Sequence, residues 1–109
     1  MKTTEELSKE LTDLQIKYKK VFTLIVNLSD DDTDIATVYL KDLDRNTYTA
    51  AFKAYQKDTF AGTEILLNQL FIGGDDIKSI VKDNFYALRS ADGGVSGLFN
   101  VKAGELKKN

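Results

Sequence analysis

The sequence predicts a mostly helical α+β domain, one β-hairpin packed with four to five helices, and three observations carry that expectation. Apolar residues alternate with period two between residues 21 and 41. Elsewhere they recur at helical spacing. Aspartate-rich and Gly-Gly stretches punctuate the segments, and the chain has no proline. A length of 109 residues fits one domain spanning 1–109.

The N-terminal helix is expected over 3–20, where Leu7, Leu11 and Leu14 fall at i, i+4 and i+7 on one face. Thr12 followed by Gln15 has the form of a capping box, which predicts a restart near Thr12. The hairpin follows over 21–41. Phe22, Leu24, Val26 and Leu28 share one face of its first strand, and Val21, Thr23, Ile25 and Asn27 share the other. Ser29 to Asp34 form a polar turn, and Ile35 to Lys41 the return strand. An isolated hairpin is marginal in water, so this one must pack on helices or pair with another strand.

A helical remainder is expected over 44–108. Asp44 is a good N-cap, and Tyr48, Ala51, Phe52 and Tyr55 form an amphipathic stripe behind it. Lys57-Asp58-Thr59 breaks that helix. The next one runs to about Phe71, and Ile65, Leu66, Leu67, Leu70 and Phe71 make it apolar nearly all round. Such a helix belongs in the core or at an interface. Gly73-Gly74 reads as its stop. From Asp75 onward the pattern is mostly helical, with a break expected at Gly93-Gly94 and a short stripe of Leu98, Val101 and Leu106 beyond it.

Composition narrows the chemistry. The chain has no cysteine and no histidine, which removes disulfides, thiolate metal sites, the thiol nucleophile and the commonest general base. Fifteen basic residues against seventeen acidic ones give a net charge of -2, without the basic excess that nonspecific nucleic-acid binding needs. The charged start, Met1-Lys2-Thr3-Thr4-Glu5-Glu6, does not read as a signal peptide, and no apolar run reaches the length of a membrane span. Asp30, Asp32 and Asp34 have the spacing of the first three EF-hand ligands. However, Ile35 replaces the required glycine and Lys41 the bidentate glutamate, so a solvated turn is expected. Gly73-Gly74-Asp75-Asp76 lacks the Gly-Lys-Ser/Thr of a phosphate loop, and the serines have no histidine to activate them. No catalytic residue, cofactor or metal is expected, and the partner is expected to be a protein.

Three segments resemble a known family. Tyr39-Leu40-Lys41-Asp42-Leu43-Asp44-Arg45-Asn46-Thr47-Tyr48-Thr49-Ala50-Ala51 is the first. Thr63-Glu64-Ile65-Leu66-Leu67-Asn68-Gln69-Leu70-Phe71-Ile72-Gly73-Gly74-Asp75 is the second, and Leu98-Phe99-Asn100-Val101-Lys102-Ala103-Gly104-Glu105-Leu106-Lys107-Lys108 the third. Together they are similar to small phage and prophage proteins described as tail assembly chaperones, over roughly residues 12–108. Leu43 stands where the family carries proline, and Gly93-Gly94-Val95-Ser96 interrupts a helix that is more regular there. The resemblance implies a cytoplasmic role in the bacterial host: binding the hydrophobic tape measure protein, recruiting tail tube subunits, and leaving before the virion matures. The other readings are a structural subunit of the particle, using the hairpin edge, and a small regulator of a host factor. Tyr48, Phe52, Tyr55, Leu66, Leu67, Leu70 and Phe71 are the candidate partner-binding residues, on the apolar stripe and the apolar helix. A homo-oligomer also fits.

Overall fold

A computed structural model describes residues 1–109. Its α+β architecture, with five helices and a three-stranded antiparallel sheet, agrees with the expected class and adds one strand to the expected hairpin.

Helix α1 (Thr4–Lys17) starts at a true capping box. The Glu6 amide donates to Thr3 Oγ1 at 3.2 Å, and the Thr3 amide donates to Glu6 Oε1 at 3.1 Å. The expected restart at Thr12 does not occur, because the Thr12 hydroxyl donates back to the Ser8 carbonyl at 3.1 Å and the helix runs on. It stops at Lys17, where Tyr18 turns extended, three residues short of the expected end.

Strands β1 (Val21–Asn27) and β2 (Ile35–Lys41) form the hairpin, in register from Val21 opposite Lys41 to Asn27 opposite Ile35. Its acidic turn spends its side chains on itself. Asp31 accepts from the Thr33 amide and hydroxyl at 2.9 and 2.8 Å, and Asp34 accepts from the Ser29 hydroxyl at 3.0 Å. Those bonds from Thr33 hold the Asp31 carboxyl below its usual range. No three acidic side chains converge there or elsewhere.

Helices α2 (Arg45–Lys57) and α3 (Thr59–Leu70) are joined by Asp58 alone, which ends one and caps the next. Its amide donates to the Ala54 carbonyl at 2.9 Å and its carboxylate accepts from the Phe60 amide at 3.0 Å. The expected glycine stop after α3 is in fact a third strand. β3 (Phe71–Gly74) pairs antiparallel with β2, placing Gly73 opposite Tyr39 and Gly74 opposite Val38. Strand order is therefore β1-β2-β3.

The expected helical remainder is also corrected at its far end. α4 (Ile77–Asp83) and α5 (Phe85–Val95) meet at Asn84, and α5 passes straight through Gly93-Gly94. A 3-10 turn covers Ser96–Phe99, and residues 100–109 are exposed without regular secondary structure, so the Leu98–Leu106 stripe is not a helix.

One face of the sheet carries Leu24, Val26, Ala36, Val38 and Leu40 into a common core with Leu66, Leu67 and Leu70 of α3 and Ala87, Ala91 and Val95 of α5. The other face is covered in part by α1, whose Leu7 carbonyl accepts from the Tyr39 hydroxyl at 3.0 Å. Burial, with the nearby Glu10 and Asp75 charges, raises the pKa of that hydroxyl. Asp75 ties the ends together: it is buried and accepts from the Lys2 and Thr37 amides, each at 2.9 Å. No helix is long and apolar enough to cross a membrane.

Candidate functional site: an aromatic patch on α2

Helix α2 has two faces of different character. Its inner face buries Thr47 and Ala51, and Thr47 Oγ1 donates to Gln69 Oε1 of α3 at 2.9 Å. Asp44 fixes its start by accepting the Thr47 amide at 2.8 Å, a bond that holds the Asp44 carboxyl below the usual range. Tyr48 and Phe52, one turn apart, lie at the outer margin, 42% and 45% exposed.

These two rings do not stand alone. Their centroids lie 4.7 Å apart with a 30° tilt. Phe99, from the 3-10 turn, meets both edge-on at 5.6 and 5.7 Å and also reaches Tyr55 at 6.0 Å. Phe99 is half-buried. The result is a continuous aromatic surface joining the middle of α2 to the start of the 100–109 segment.

Tyr55 belongs beneath that surface. The Thr63 hydroxyl donates to Asp92 Oδ1 at 2.6 Å, and with its single hydrogen so engaged it accepts from the Tyr55 hydroxyl at 3.1 Å. The chain of bonds locks α2, α3 and α5 together. Burial, and secondarily the Asp92 charge, holds the Tyr55 hydroxyl above its ordinary pKa. The ring itself lies across Gly62, where any added Cβ would collide with it. Tyr55 therefore supports the patch with its ring and keeps its polar end inside.

The sequence-derived candidates divide accordingly. Tyr48 and Phe52 come together on the surface, with Tyr55 behind them. Leu66, Leu67 and Leu70 are corrected: they are 0%, 1% and 0% exposed and form the centre of the core, because α3 is enclosed by α2, the sheet and α5. Phe71 starts β3, pairs with Leu40 and has the Lys78 ammonium 5.9 Å from its ring, so it is not one of the patch rings. Phe99 was not among the candidates. It lies 44 positions beyond Tyr55 in the chain, and only the packing of α5 on β1 brings it back to α2.

A further contrast separates this patch from the remaining aromatics. Arg89 lies over both Phe85 and Tyr86, at 5.2 and 5.4 Å, and lysines lie over Tyr18, Phe22 and Phe71. Phe60 packs edge-on against Phe85 at 5.1 Å. No cation covers Tyr48, Phe52 or Phe99.

The open edge of β1 is a separate feature. The Leu28 amide donates across the hairpin to Asp34 at 2.8 Å, whereas the Asn27 amide turns away to Ser90 Oγ at 2.9 Å. By alternation the amides of Thr23 and Ile25 also point away from β2. Ile25 is exposed beside them.

No protein-family model matches the chain, and neither a curated protein nor a solved structure matches it.

Proposed function

We propose that this protein is a non-enzymatic protein-binding module of the tail assembly chaperone kind, with the Tyr48–Phe52–Phe99 patch as the surface that takes its partner. The observation that supports this reading is the uncovered state of those rings. An aromatic surface without a covering cation or chain is the type of area that binding sites use, and aromatic rings are enriched in protein interfaces. Rings one helical turn apart along α2 suit an amphipathic helix laid against them. A tape measure protein is long, helical and apolar, and the motif resemblance points to it as the segment shielded, with tail tube subunits recruited afterwards in the bacterial cytoplasm.

Co-expression with the candidate tape measure protein tests this. The partner is expected to become soluble and to co-purify. Phe52→Asp, at a half-exposed ring, is expected to abolish both while leaving the circular dichroism spectrum and the thermal midpoint close to those of the native chain. Co-purification that survives Phe52→Asp would overturn the assignment of the patch. A second reading, a structural subunit of the particle, is favoured by the free amides of Thr23 and Ile25, which offer an edge for strand addition. Presence of the protein in purified particles is its distinguishing result.

A further inference from the structure

The charge along α2 and in the segment beyond Phe99 is not that of the chain as a whole. The chain is net acidic, yet α2 carries Arg45, Lys53 and Lys57 and no acidic residue at all. The segment leaving Phe99 carries Lys102, Lys107 and Lys108 against Glu105 alone. Arg45, Tyr48 and Phe52 fall at i, i+3 and i+7, so the guanidinium-bearing residue shares the stripe of the two rings. None of these six cations forms an ion pair, since the molecule has one salt bridge, Lys2 to Glu10 at 2.8 Å. The acids bounding α2, Asp44 and Asp58, are turned onto helix amides as N-caps.

We propose that the segment received by the patch is an amphipathic helix whose apolar stripe is flanked by acidic residues. This rests on the patch being the partner surface and names the chemistry that it selects. Apolar residues of the helix cover Tyr48, Phe52 and Phe99, while its acidic flanks face Arg45, on the stripe of the rings, and the lysines of the segment that leaves Phe99. Each surface ion pair contributes little, so the cations act together, as a filter on partner charge and an aid to encounter.

Basic groups beside aromatic rings also suit a single-stranded nucleic acid, but the ring geometry favours protein. Base stacking requires an open ring face. Tyr48 and Phe52 lean on each other at 4.7 Å and Phe99 abuts both, which leaves less ring face for a base, and the net charge of -2 lacks the basic excess that nucleic-acid binding needs.

The test uses the full chain and two labelled helical peptides with one apolar stripe, flanked by glutamate in the first and lysine in the second. The glutamate peptide is expected to bind about tenfold more tightly at low salt, with the gap closing as the screening length shortens. The triple variant Lys102→Glu, Lys107→Glu and Lys108→Glu, confined to exposed residues, is expected to shrink that preference. Phe52→Ser is expected to weaken both peptides. Equal binding of the two peptides, both lost in Phe52→Ser, overturns the acidic preference and leaves the patch as the partner surface. Binding of both peptides that is indifferent to Phe52→Ser overturns the patch and this inference together. Displacement of the glutamate peptide by a thymidine oligonucleotide that itself binds more tightly overturns the choice of a protein partner.

Discussion

Leu67→Asp is expected to leave the chain unfolded. Leu67 is 1% exposed and packs in the core that α3 shares with the sheet and α5. Truncating a buried leucine alone costs about 2–5 kcal/mol. An aspartate there adds a carboxylate with no hydrogen-bond donor in an apolar surround, a further penalty unless it takes a proton. A domain of this size holds only about 5–15 kcal/mol in reserve. Far-UV circular dichroism at ambient temperature checks this, with a cooperative native-like melt as the contrary result. The consequence for function is direct: loss of partner binding in Leu67→Asp reports unfolding, whereas the same loss in Phe52→Asp reports the surface.

Gly74→Ala is expected to lower stability by about 3 kcal/mol or more, of which about 1–3 is the cost of the backbone conformation itself. Gly74 has φ +91, a region that residues with a Cβ avoid, and it is the one residue of the chain with positive φ. A Cβ there would run into the Thr37 carbonyl oxygen and lie 2.8 Å from Val38 Cα. Both obstacles are backbone of β2, so relief requires β3 to move off the sheet. That movement would also disturb the Asp75 amide bond to the Thr37 carbonyl at 2.7 Å and the Gly74 amide bond to Glu10 at 3.1 Å. A fall in Tm of roughly 15 °C follows from the usual scaling for small domains. Gly93→Ala is the control. Nothing lies within 4 Å of a Cβ at Gly93, inside α5, so the gain in helix propensity is expected to stabilise the protein by about 0.5–1 kcal/mol. Equal losses in the two variants would contradict this account of the glycines.

The sequence made visible what depends on local periodicity. The alternation of 21–41 defines β1 and β2, and the stripes of α1, α2 and α3 define those helices to within a few residues. What failed to show depends on distant packing. β3 has four residues, half of them glycine, and no alternation of its own. It is a strand because β2 presents an unpaired edge to it. The break expected at Gly93-Gly94 rested on propensity, which tertiary contact overrides: Leu24 of β1 occupies the space that a Cβ at Gly94 would need, so glycine lets α5 run close to the sheet. In the same way, the apolar run of α3 was compatible with a core or an interface, and enclosure by its neighbours decides for the core. Residues 100–109 carry apolar side chains at helical spacing, but nothing packs on them.

Half of the candidate site was legible on the same terms. Tyr48 and Phe52 follow from the α2 stripe. Phe99 and the uncovered state of the rings are products of the fold, as is the burial of the Tyr55 hydroxyl against Thr63 and Asp92.

The most direct measurement is a side-chain NMR footprint of the partner segment on the isotope-labelled full chain. If the patch receives the partner, the largest shift changes fall on the rings of Tyr48, Phe52 and Phe99, with Thr23, Ile25, Phe85 and Tyr86 little altered. Changes concentrated at the β1 edge or around Arg89, with the three rings unmoved, would contradict it.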